Sequence, residues 1–290
     1  FSFNNVMGPD EYAYPVNNSA YTNAVTSIAL NFAAEAATEL GYSGDIYSSF
    51  VKKAEGLVLP FAGQVPTMPE LQGYHPEYEG FPRNSTNPKV KQADTVMLAY
   101  PLGVQMDQEV LANDLTFYDA VTDVDGPAMT HAMFAIGWFN LSHFDKSAGS
   151  FARSYANMQW PFGVWAETPS GGCGNFITGA GGFLQTVVFG TSGMRIERDR
   201  LFFSPPPPSA TGTGAVRLTM HSFHYLGSRL RQEVTADVSR YELLETSPRA
   251  PRLFVEDLAS SDRQQLEVGV AVELARGPVS ISAGQPQIMV

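Results

Sequence analysis

Apolar residues recur at helical spacing through the first two thirds of the chain. Val25, Ile28, Ala29, Phe32 and Ala36 lie three or four apart, and Ile46, Phe50, Ala54 and Leu57 repeat the pattern, so two amphipathic helices facing a common core are predicted. Gly8 and Pro9 force a loop ahead of the first, and Asn17 or Asn18 is its expected cap. Further helical candidates are "KVKQADTVMLAY", "QEVLANDLTFYDAV", "AMTHAMFAIGWF", "KSAGSFARSYANM" and "TGAGGFLQTVVFG", separated by Gly, Pro or Asp. The pattern thus predicts a helical region over residues 1–190, with no internal repeat of fixed period.

After Gly190 the texture changes. "GMRIERDRLFFSP" and "AVRLTMHSFHYLGSRLRQEVTADVSRYELLE" alternate and are rich in β-branched and aromatic residues, while "SPPPPSATGTG" reads as a structureless turn between strands. "LEVGVAVELARGPVSIS" again reads as strand, whereas the stretch between about 245 and 265 has no clear pattern. Residues 191–290 are therefore expected to form a small antiparallel β-sandwich, and the chain as a whole to be mainly α.

Composition narrows the partners. The 290 residues are 44% hydrophobic and 16% charged, which describes a globular protein with a sizeable core. A net charge of −11 argues against nucleic acid or an anionic membrane, because phosphates need clustered Lys and Arg, so the expected ligand is neutral. The single cysteine, Cys173, allows no intrachain disulfide and fits a reducing compartment. No apolar run is long enough to span a bilayer. Sequons at Asn17, Asn84 and Asn140 are of a kind common by chance. The chain opens at Phe1 within a motif-bearing stretch, and is expected to be a piece of a longer protein.

Four stretches carry candidate chemistry. In "GPDEY" the acids Asp10 and Glu11 sit on a stiff corner before a helix; they can complement the helix dipole, or Asp10 can act as a like charge that raises the Glu11 pKa and makes Glu11 a proton donor. "QGYHPEYEGF" interleaves Tyr74, Tyr78 and Phe81 with His75, Glu77 and Glu79, which suits either sugar binding or a surface loop with anchoring rings. In "KQAD", Lys91 and Gln92 open the predicted helix, where a lysine does not favour the dipole, so a ligand role competes with simple solvation. In "WPFGVWAE", Trp160, Phe162 and Trp165 crowd Glu167, and a carboxylate desolvated by aromatics suits proton abstraction. The histidines, His75, His131, His143, His221 and His224, show no metal-ligand spacing, and no cofactor is expected.

"GPDEY", "VNNSAYTN", "KQAD", "FGVWAE" and "NFITGAGGFLQ", in this order, resemble the catalytic domain of glycoside hydrolase family 65 over about residues 1–190. Members have an N-terminal β-sandwich, an (α/α)6 barrel and a C-terminal β-sheet domain. The resemblance therefore implies the latter part of an (α/α)6 barrel followed by a small C-terminal β-sandwich. It also implies that Glu11 is the general acid, that Lys91 and Gln92 contact the sugar of the innermost subsite, and that Glu167 is the general base of the hydrolytic members. Phosphorylases of the family lack that base and bind phosphate in its place, so Glu167 favours hydrolysis.

The implied reaction is inverting hydrolysis of a neutral α-glucoside, with the carboxyls roughly 6.5–9.5 Å apart to admit a water. The branch it most resembles removes glucose from the glucosyl-galactosyl-hydroxylysine unit of collagen; trehalose or kojibiose is the second substrate reading. The family's upstream tryptophan-aspartate sugar-binding segment is not in this chain, which leaves a non-catalytic carbohydrate-binding fragment as the rival from another class.

Overall fold

The computed structural model describes residues 1–65, 67–81 and 88–284; the sequon at Asn84 lies outside them. The chain divides into two compact units. The first comprises Phe1–Gly137 and Ser154–Ala180, the second Trp138–Arg153 and the chain from Gly181 onwards.

The expectation of a mainly α protein is overturned. Among the described residues there are six α-helices against thirteen strands in four antiparallel sheets, 32% helix to 26% strand. Two departures in the helical region account for part of this. The stretch "KVKQADTVMLAY" is irregular up to Asp94 and then makes only a 3-10 turn at Thr95–Leu98. Its backbone amides are taken by other segments: Val90 N donates to Val121 O at 3.0 Å and Lys91 N to Asp10 Oδ1 at 2.8 Å, so tertiary partners replace the i−4 ladder. A hairpin of β1 (Ala62–Val65) and β2 (Met68–Tyr74) also occupies a region where no element was expected.

The remaining helical segments form. They are α1 (Ala20–Glu39), α2 (Asp45–Glu55), α3 (Gln108–Val121), α4 (Thr130–Asn140), α5 (Phe144–Ser154) and α6 (Ile177–Gln185), the last continued by a π-helical turn at Thr186–Gly190. The cap of α1 is Ser19, whose Oγ accepts from Thr22 N at 3.3 Å. Asn17 and Asn18 serve other bonds: Asn17 Oδ1 accepts from Asn5 N, and Asn18 Nδ2 donates to Glu79 Oε2.

α1 buries Ala20, Asn23, Ala24 and Ala37, with Ala20 and Ala24 packed against Leu98. Along the apolar stripe Val25, Ile28, Ala29 and Phe32 are exposed, Phe32 by 69%, and Ile46 and Val51 of α2 are exposed as well. By contrast α3 buries Leu111, Leu115, Phe117, Tyr118 and Val121. Gly137 of α4 lets the Leu115 side chain approach, since a Cβ there would meet Leu115 Cδ2 at 2.8 Å.

In the second unit, β5 (Met194–Ile196), β6 (Arg200–Phe203), β10 (Leu253–Asp257), β11 (Arg263–Gln265) and β13 (Val279–Ala283) pair in the order β11-β10-β13-β6-β5. β7 (Leu218–Tyr225), β8 (Ser228–Val234), β9 (Val238–Thr246) and β12 (Ala271–Ala275) pair as β12-β9-β8-β7. Alternation decides the faces: Ser228, Leu230, Gln232 and Val234 of β8 are buried while the residues between them are half-exposed. Leu230, Tyr241, Leu243 and Val272 of one sheet join Leu201, Phe203, Leu253, Val255, Val279 and Ile281 of the other in a single core. "SPPPPSATGTG" is not structureless, for it holds a 3-10 turn at Pro208–Thr211 that buries Pro208, Ala210 and Thr211.

Candidate active site

The "GPDEY" corner and the "KQAD" segment are laced together. Asp10 N donates to Asp94 Oδ2 at 2.9 Å, Lys91 N donates to Asp10 Oδ1 at 2.8 Å, and Gln92 Nε2 donates to Pro9 O at 2.7 Å. Gly8 permits the approach, because a Cβ there would stand 2.7 Å from Asp94 Oδ2. Out of this knot project Glu11 and Lys91, whose side chains form an ion pair, Nζ to Oε2. The pair is partly solvated, with half of the Glu11 side chain accessible. The Glu11 carboxylate, and behind it the Glu167 carboxylate, hold the Lys91 ammonium above its usual pKa.

Asp10 lies apart from the Glu11–Lys91 ion pair, its carboxylate taken by the backbone amides of Tyr12 and Lys91. Its side chain turns inward and is 1% exposed, in a buried group with Asp94 and Glu77. Burial first, then the Asp94 and Asp10 carboxyls, push Glu77 up to about 11, so it carries a proton at neutral pH. Burial likewise raises Asp94.

Tyr12, next to Glu11, donates its hydroxyl to Asp123 Oδ2 at 2.8 Å, and Lys89 Nζ reaches the same oxygen at 2.7 Å. The Lys89 and Tyr12 donors hold the Asp123 carboxyl below the usual range. Asp123, Asp94 and the inward role of Asp10 were missed from sequence. Asp94 does close the "KQAD" motif, but nothing around Asp123 marks it.

Glu167 follows the short hairpin of β3 (Met158–Gln159) and β4 (Val164–Trp165). Its Oε2 accepts from Cys173 N at 2.9 Å, and its own N–H donates to Cys173 O at 2.9 Å. The glycine-rich turn makes this closure: Gly172 has φ +79°, and a Cβ there would lie 2.7 Å from Glu167 Oε2. The expected aromatic enclosure is not built by Trp160 and Phe162, which sit at the hairpin tip and are 80% and 88% exposed. Trp165 instead donates its indole N–H to Ser154 O.

Of the predicted residues, then, Glu11 and Lys91 meet directly, and Glu167 is linked to them only through the field it exerts on the Lys91 ammonium. Gln92 is buried behind them with its amide nitrogen committed to Pro9. The "QGYHPEYEGF" rings belong to the core: Tyr74 and Phe81 pack edge-on against Phe117, and His75 Nδ1 pairs with Asp114 Oδ2 at 2.8 Å.

No family model matches the chain. A solved structure described as a candidate kojibiose phosphorylase from the human microbiome shares the fold, with a TM-score of 0.69 at 15% identity, over 95% of this chain and 40% of that one. The motifs and the curated relatives agree: the chain belongs to glycoside hydrolase family 65. It is 42% identical over 236 residues to the protein-glucosylgalactosylhydroxylysine glucosidase of Gallus gallus, covering 81% of this chain and 31% of the relative. With the Danio rerio protein of the same name it shares 37% over 274 residues, 94% of this chain and 39% of the relative. A kojibiose hydrolase of Flavobacterium johnsoniae is 32% identical over 199 residues, 68% of this chain and 27% of that protein. The chain thus spans about a third of the length of the curated relatives it matches.

Proposed function

We propose that the full-length protein carrying this chain hydrolyses an α-glucoside with inversion, and that its substrate is the glucosyl-galactosyl-hydroxylysine unit found on collagen. Glu11 acts as the general acid toward the glycosidic oxygen, while Glu167 acts as the general base toward the water attacking the opposite face of the anomeric carbon. Lys91 binds the glucose in the innermost subsite, and Gln92 backs it from within. The observation that supports this most is the convergence of three distant stretches, in which the Lys91 ammonium pairs with Glu11 and lies within the field of Glu167. The names of the relatives support the substrate. Glu167 weighs against phosphorolysis, since a carboxylate there repels phosphate.

The test is a product assay of the full-length protein on glucosyl-galactosyl-hydroxylysine, kojibiose and trehalose side by side, with and without inorganic phosphate. Fastest release of glucose from the first, independent of phosphate, is expected. A phosphate requirement overturns hydrolysis, and preference for kojibiose or trehalose overturns the substrate. NMR of the first-formed sugar should show β-glucose before mutarotation; α-glucose would sink the inverting assignment.

A further inference from the structure

We propose that Asp10 is a positioning residue that sets Glu11 and Lys91 against each other, acting through the backbone and not through its charge. The proposal rests on the reading of Glu11 as general acid. Asp10 and Glu11 are adjacent in the chain but face opposite ways, the one 1% exposed and the other half accessible. A single oxygen, Asp10 Oδ1, accepts from Tyr12 N at 3.1 Å and from Lys91 N at 2.8 Å. It therefore fixes the peptide immediately after Glu11 and the backbone of Lys91 itself. The reverse bond from Asp10 N to Asp94 Oδ2 closes the latch, and the hydrogen bond between Asp10 and buried Glu77 holds the carboxyl from beneath.

Both ends of the Glu11–Lys91 pair are long, rotatable side chains, so their meeting point depends on where their backbones stand. A general acid must lie within hydrogen-bond reach of the leaving oxygen, and misplacement by about 1 Å can cost 10²-fold. Loss of the shared acceptor releases two N–H groups that have no other partner in the knot, and lets the "GPDEY" corner move relative to Lys91.

The experiment compares kcat on the natural α-glucoside, whose sugar leaving group needs a proton, with kcat on α-glucosyl fluoride, whose leaving group needs little help. Wild type, Glu11→Gln, Asp10→Ala, Asp10→Asn and Asp10→Glu are measured in the full-length protein, with thermal melting to follow the fold. Glu11→Gln and Asp10→Ala should each lose about 10²-fold or more on the glucoside and only a few-fold on the fluoride. Asp10→Asn keeps the acceptor without the charge and should retain most activity. Asp10→Glu keeps the charge but shifts the acceptor by a methylene, so it should repeat the Ala pattern, and it serves where the Ala variant does not fold.

Equal losses on both substrates, or a near-normal Asp10→Glu beside a crippled Asp10→Asn, overturn the proposal. If Glu11→Gln spares the fluoride and the misplacing Asp10 variants do not, the positioning role alone falls. If Glu11→Gln itself loses both substrates equally, the general-acid reading fails and takes the proposal with it.

Discussion

The α1–α2 pair and the C-terminal sheets solve the same problem with opposite results. Both sequences present apolar residues at the period of their element, yet the sheets close over theirs and the helices do not. Phe203, Leu230, Tyr241, Val279 and Ile281 are buried in one core, whereas Ile28, Phe32 and Ile46 are left open. The difference lies in where the cover comes from. Each inward face of the two sheets is covered by the other, a few tens of residues away, while the α1 stripe is only partly covered among the described residues. Periodicity identifies which face is apolar; it does not say what will lie against it.

The sharpest break of this comparison is the 290-residue chain expressed alone. Uncovered apolar surface is worth about 25 cal/mol per Å², so a few hundred Å² amounts to several kcal/mol. The chain alone is expected to aggregate and release no glucose, as judged by size-exclusion chromatography and a glucose assay. A monodisperse, active monomer would show that the open face needs no cover. In the full-length protein, Glu11→Gln or Glu167→Gln should each lower hydrolysis by about 10²–10⁴-fold with the melting temperature unchanged. Glu242→Gln, on a strand of the second unit, should leave the rate alone. Near-normal turnover by either of the first two removes that residue from the mechanism.

Truncation separates the two regions more finely. Phe203→Ala should cost about 3–5 kcal/mol of unfolding free energy through cavity formation. Phe32→Ala on the open face should stay within about 0.5 kcal/mol in the chain as it stands here. Denaturant melts of soluble samples measure both, and a large cost at Phe32 would mean that the stripe is covered after all.

Sequence alone carried the local terms of this structure well and the distant ones poorly. Six of the seven helical segments formed, because α1 to α6 satisfy their own backbone bonds. The seventh failed where Val121 and Asp10, far off in the chain, claimed the amides of Val90 and Lys91. β5 to β9, β12 and β13 were readable from alternation, but not β10 and β11 in the stretch without a clear pattern, nor the hairpin of β1 and β2, nor the 3-10 turn inside the proline run. At the site, Glu11, Lys91 and Glu167 stood in recognisable motifs. The direction of Asp10 could not be read, since adjacency on paper says nothing of which side chain turns inward. Nor could the exposure of Trp160 and Phe162, whose position at a hairpin tip outweighs their hydrophobicity.

Glu77 gives the smallest and most local test, because it sits under the latch yet belongs to neither sheet nor open face. Its ordinary pKa is 4.5, and in the fold burial with the neighbouring carboxyls raises it to about 11. Between those values the unfolded chain has released the proton that the folded chain keeps, so the unfolded state binds fewer protons. Stability must then fall as pH rises above about 4.5, with a slope of at most about 1.4 kcal/mol per pH unit for one group. Glu77→Gln keeps the shape and a hydrogen-bond donor but cannot ionise, so it should remove this contribution. Relative to wild type the variant should gain melting temperature steadily from pH 5 to pH 8, and the two should converge near pH 4. A constant difference across that range would mean that Glu77 is ionised in the fold, and that the carboxyls beneath Glu11 do not hold a buried proton.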